Sequence, residues 1–175
     1  MFADTDLLVM AIVNRTRDSF YDEGATWDHE RALDRVRQVV TEGADIVDIG
    51  GVAAGPGEEV HAAEEVRRTA GLVAAVRAEF PDLVLSVDTW RSEVGREVCA
   101  AGADMLNDAW SGHDPELAEV AAEFGAALVC THTGGLSPRT LAGRPWYDDV
   151  VPKPSRPPSA LPSALSPSAW TRAAY

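Results

Sequence analysis

Val84-Leu85-Ser86-Val87-Asp88 is the stretch that decides the fold: a short, largely apolar run with the character of a buried strand, ended by a carboxylate. The same form recurs on both sides of it. Toward the amino terminus, Ile46 and Val47 run into Asp48, and Leu7 to Val13 run into Asn14. Toward the carboxyl terminus, Met105 and Leu106 run into Asn107 and Asp108, and Ala127 to Cys130 run into Thr131 and His132. Parallel strands covered on both faces have this continuous apolar character, and polar groups at their carboxyl ends line the mouth where α/β folds hold ligands.

The stretches between these runs read as helices. Asp28 to Val40 sets Leu33, Val36 and Val40 on one face, with Asp28 as N-cap and Gly43 beyond the end. Ala62 to Phe80 repeats Val66, Ala70, Val73, Val76 and Phe80, and Pro81 closes it. Ser92 to Ala101 turns Val94 and Val98 inward before Gly102. A fourth helix starts with Asp114 as N-cap and Pro115 in the first position, carries Leu117, Val120, Ala121 and Phe124, and stops at Gly125. The order βαβαβαβαβ with right-handed crossovers gives a parallel sheet of five strands and four helices. It belongs either to part of a (β/α)8 barrel or to a doubly wound sheet.

Composition narrows the function. A chain of 175 residues, 46% hydrophobic, can build one core. Its 28 acidic against 15 basic residues give a net charge of -13, which opposes a nucleic-acid groove or an anionic membrane surface. A small molecule is the expected partner, with Arg15, Arg17 and Arg91 available to attract an anionic one. Cys99 and Cys130 fall within a helix and a strand, as small buried hydrophobes do. With no basic start, signal-type apolar stretch or membrane-length run, the expected location is cytoplasmic.

The glycine-rich loop Gly50 to Gly57 has Val52 where a dinucleotide fingerprint needs its second glycine, and no Gly-Lys-Ser/Thr follows. It is either a tight turn or a ligand cradle. The four histidines show no zinc spacing, and no nucleophile elbow is present. Asp88 is costly to bury as a charge, so it caps the third helix or meets a ligand carrying N–H groups. Asn107 offers a donor and an acceptor at the next strand end. The pair either reads the edge of an amidine-like heterocycle or caps two strands. Asn14 can ligate a hard cation or phosphate, or close its own turn.

Val9-Met10-Ala11-Ile12-Val13-Asn14-Arg15-Thr16-Arg17-Asp18-Ser19-Phe20 resembles the opening strand and loop of dihydropteroate synthases, M-G-I-x-N-x-T-P-D-S-F. Asp45 to Gly51 followed by Pro56-Gly57 resembles that family's second strand and loop, Ser86 to Thr89 its third strand, and Asn107-Asp108 its fourth. The resemblance implies a partial TIM barrel and a transferase of folate biosynthesis that joins a hydroxymethyl-dihydropterin diphosphate to p-aminobenzoate, assisted by Mg2+. By it Asn14 holds the metal and diphosphate, while Asp88 and Asn107 bind the pterin. Two departures stand out: Ala54-Gly55 replaces the usual Thr-Arg before Pro-Gly, and Arg17 replaces a proline.

Residues 1–150 are therefore expected to form the N-terminal part of the barrel. Residues 151–175, with six prolines and five serines, are expected to form a disordered tail. The family's remaining site residues belong to strands six to eight, so a half-built site, inactive alone, is expected. Two open sheet edges favour a homodimer or other self-association. The alternatives are a non-catalytic pterin-binding paralogue and a pterin-dependent methyltransferase; the latter has no need of the Asn14 to Phe20 motif.

Overall fold

The computed structural model describes residues 7–16, 28–133 and 136–140. Arg17, residues 141–150 and the expected tail at 151–175 lie outside the described residues. The elements run β1 (Met10–Asn14), α1 (His29–Thr41), β2 (Ile46–Gly50), α2 (Ala62–Glu79), β3 (Val84–Asp88), α3 (Ser92–Ala100), β4 (Met105–Asp108), α4 (Glu116–Phe124) and β5 (Ala127–Cys130).

Strand order settles the architecture that periodicity leaves open. The sheet runs β1-β2-β3-β4-β5 with every neighbouring pair parallel. A doubly wound sheet must reverse its order at a switch point, whereas consecutive right-handed crossovers keep every helix on one face. The core confirms this. Val13, Val47, Ile49, Leu85, Val87 and Leu106 alternate along their strands and pack with Leu33 and Val36 of α1, Leu72 and Val76 of α2, Val94 and Val98 of α3, and Leu117 and Val120 of α4. The fold is five strands and four helices of a (β/α)8 barrel, with the opposite pleat turned to the barrel interior.

Local chemistry explains where the elements begin and end. Asp28 caps α1, its carboxylate accepting from the N–H groups of Glu30 and Arg31 at 3.0 and 3.3 Å. At α4 the sequence expectation is shifted by one position: the helix opens at Glu116 after Pro115, and Asp114 has two duties. One oxygen accepts from Glu116 N at 3.1 Å, and the other reaches back to Ser92 N at 2.7 Å, serving the start of α3. Strand β1 begins at Met10 rather than Leu7, because pairing with β2 starts at Met10 opposite Ile46. Val9 instead donates to the Asp45 carboxylate at 2.8 Å, and Leu7 is 91% exposed.

The amino-terminal end of the sheet is stapled by one guanidinium. Arg77 of α2 donates to the carbonyls of Gly102, Pro81 and Leu83 at 2.7 to 3.1 Å and pairs with Asp104. Asp104 also accepts from Leu85 N at 2.8 Å. In barrels of this kind that end serves stability, which leaves the carboxyl-terminal end for ligands.

Candidate active site

The three residues singled out at strand ends come together in one row. Register places Asn14 opposite Gly50, Gly50 opposite Asp88, and Asp88 opposite Asn107, so all four share the inward pleat at the carboxyl edge of the sheet. Gly50 is required there: a Cβ would collide with Oδ1 of Asn14 and would lie 4.0 Å from Cβ of Asp88. The missing side chain is where the Asn14 amide sits.

Asp88 is held without compensation. Burial, then the nearby carboxylates of Asp48, Glu65 and Asp108, push its pKa up to about 7. Among the described residues no donor reaches its carboxyl group. The helix-capping alternative fails on geometry. The start of α3 is served by Asp114, and Arg91 N donates to the Thr89 hydroxyl at 3.2 Å. Asp88 is thus a half-buried carboxyl of perturbed pKa at a strand end, the kind of group that gathers at functional sites.

Asp48, which the sequence marks as a strand-end carboxylate without assigning it a role of its own, organises the layer beneath. Only 4% exposed, it accepts from the Ser86 hydroxyl at 2.5 Å and from Nδ2 of Asn107 at 3.2 Å. Burial raises its pKa, and the two donors oppose that shift. The signal was present in the sequence: a carboxylate inside an apolar run, two positions before Gly50 and hence on the same pleat. Asn107 is thus more than a strand cap, since its amide ties β4 to β2 across β3.

The loop after β2 is fastened at the same end of the sheet. Val52 and Val60 pack against Trp90, with Trp110 beside them; the two indole rings meet edge to face at 6.3 Å and 78°. Glu65 of α2, fully buried, pairs with Arg91, which also donates to the Val60 carbonyl at 2.8 Å and lies 4.4 Å over the Trp90 ring. Burial raises the Glu65 pKa, and Thr89 and then Arg91 counter it. Arg91 therefore faces inward rather than standing ready for an anion, and Nη1 of Arg15 donates to the Arg68 carbonyl at 2.6 Å. Arg139, from beyond β5, donates to the carbonyls of Ala53 and Gly55 at 3.2 Å and of Glu58 at 2.6 Å. His132 sits exposed after β5. Asp108 is turned away from the mouth by its own loop, accepting from Trp110 N and Gly112 N.

Among the described residues no three His, Cys, Asp or Glu side chains are grouped to hold a metal ion. Among the described residues no helix is long and apolar enough to cross a membrane.

A one-faced parallel sheet with an acid and an amide side by side at its carboxyl edge defines a barrel-type ligand-binding enzyme scaffold. Comparison with known proteins makes this specific. A family model described as pterin binding enzyme matches residues 10–160. The chain is 55% identical over 140 residues to inactive dihydropteroate synthase 2 of Mycobacterium tuberculosis strain H37Rv, covering 80% of this chain and 44% of that protein. It is 38% identical over 126 residues to a dihydropteroate synthase of Streptococcus pyogenes serotype M1, covering 71% and 47%. A Yersinia pestis dihydropteroate synthase solved with a sulfonamide drug complex superposes with a TM-score of 0.74 at 36% identity, covering 81% and 51%. The chain belongs to the pterin-binding enzyme family, as a divergent member of dihydropteroate synthase type. It spans about half the length of the curated relatives it matches.

Proposed function

We propose that this chain binds a pterin at the Asp88–Asn107 edge and does not by itself carry out the transfer to p-aminobenzoate. The observation that carries the reading is the uncompensated carboxyl of Asp88 beside an anchored Asn107 amide: two neighbouring groups suited to the N–H-rich edge of a 2-amino-4-oxo heterocycle. In the reaction that the family implies, the aryl amine nitrogen attacks the methylene carbon of the pterin as its bond to diphosphate breaks, and the amine then loses a proton. Residues here would hold the ring and exclude water from one side of it.

Asn14 offers one hard amide oxygen at the row's end. That donor set fits a Mg2+ ion arriving with a diphosphate, which supplies most of its own oxygens, and it does not fit a resident ion caged by protein. Such an ion would supply charge neutralisation for the leaving diphosphate. Two features support the absence of transfer. Ala54 and Gly55 give the loop neither hydroxyl nor guanidinium for that leaving group, and the nearby Arg139 guanidinium is engaged by loop carbonyls. The name of the mycobacterial relatives agrees with this reading.

Isothermal titration of the chain with hydroxymethyl-dihydropterin diphosphate, with and without Mg2+, tests the binding, and a p-aminobenzoate condensation assay on the same sample tests the transfer. Saturable binding without product is expected. A flat titration removes the pterin reading, and product formation removes the claim of inactivity.

A further inference from the structure

We propose that Asp48 is a positioning residue that makes this mouth selective for heterocycles whose bound edge carries N–H donors, by holding the Asn107 amide with its oxygen turned to the ligand. The inference rests on the pterin-binding reading above and adds a cause for its selectivity. An asparagine amide is ambiguous on its own, since it donates through Nδ2 and accepts through Oδ1, and a rotation of its terminal torsion exchanges the two. Left free, Asn107 would greet an acceptor edge as well as a donor edge.

The deeper layer removes that freedom. Asp48 and Ser86 are register partners one step below the Gly50–Asp88 pair on the same pleat, and they are 4% and 0% exposed. The Ser86 hydroxyl donates to one Asp48 oxygen at 2.5 Å, so the carboxylate turns its other oxygen toward Asn107 as an acceptor. An acceptor there takes Nδ2, at 3.2 Å. Flipping the amide would set two oxygens against each other beside an Asp48 carboxylate that is only 4% exposed, leaving that buried oxygen without its donor. Oδ1 consequently lies on the branch of the amide away from Asp48, in the row shared with Asp88. With Asp88 ionised, two acceptors stand side by side, and a ligand edge bearing an exocyclic amine next to a ring N–H satisfies both. An edge with a carbonyl in place of that amine meets oxygen with oxygen. Asp48 touches no ligand in this account, and its effect is carried through Asn107.

The discriminating probes are 6-hydroxymethylpterin and 6-hydroxymethyllumazine, which differ in having an amine or an oxygen at ring position 2. The full chain is expected to bind the pterin at least about tenfold more tightly than the lumazine, since a site built for a donor rejects the analogue lacking it. In Asp48→Asn the group at position 48 can donate or accept, both settings of the Asn107 amide become available, and the preference should fall to within about twofold. A wild-type chain that binds both probes equally, or an Asp48→Asn chain that keeps the full preference, overturns the inference while leaving pterin binding intact. A wild-type chain that binds neither probe removes the pterin reading and this selectivity together. Should Asp48→Asn fail to fold, the side-chain N–H resonances of Asn107 in the wild-type chain decide: slow solvent exchange is expected, and rapid exchange overturns the anchoring.

Discussion

Asp88 sits where burial first, and then three other acids, Asp48, Glu65 and Asp108, oppose its ionisation. Its pKa rises from an ordinary 3.8 to about 7, so ionising it costs more in the folded chain than in the unfolded one. For a raised carboxyl pKa the stability contribution is complete below about pH 4 and is lost as pH climbs through about 7. Asp88→Asn removes the charge while keeping the shape. It is therefore expected to melt with the wild-type chain near pH 4 and above it at pH 8, while losing pterin affinity. Thermal melts across that range check the sign, and a difference independent of pH would contradict it. Sequence made Asp88, Asn107 and Asn14 legible because each closes an apolar run. Asp48 closes such a run as well, but its role was hidden because Ser86 and Asn107, which give it one, lie on other strands, and Glu65 was hidden because Arg91 reaches it from 26 residues along the chain.

Helices and strands were largely readable from period and punctuation, and their ends less so where a partner far along the chain decides. Asp114 marks a helix start in sequence, yet only the packing of α3 against α4 shows that it serves both. Arg77 had no sequence signature at all, because its acceptors are carbonyls that any residue could supply. Arg77→Ala leaves the Gly102, Pro81 and Leu83 carbonyls and the Asp104 carboxylate without their shared donor, and is expected to destabilise the chain by about 2 kcal/mol in chemical denaturation. Arg139 is a fastening of the opposite kind, confined to one loop. Arg139→Ala should raise hydrogen exchange of the amides at 53–55, 57 and 58 while α2 keeps its protection, and equal exchange in both chains would deny the clasp.

For the molecule as a whole, the choice between barrel and doubly wound sheet was beyond the sequence pattern, because strand order is a property of all five strands at once. Once the order is fixed, every strand divides its duties by parity. Leu85 and Val87 join the helices, while Ser86 and Asp88 face the interior. On that interior face, at the β1 edge, Met10 and Ile12 are 38% and 62% exposed, so the helix-side core closes without them. Selection for chemistry and selection for folding therefore act on alternate letters of the same words. Under the proposed reading, Ala54 and Gly55 can remove groups for the leaving diphosphate without disturbing the alternate positions that build the helix-side core. Saturation mutagenesis scored separately for cellular abundance and for pterin retention should show this as two interleaved rhythms: intolerance at Leu85, Val87 and Leu106 in the first score and at Asp88 in the second alone, with Asn107, which ties β4 to β2, registering in both.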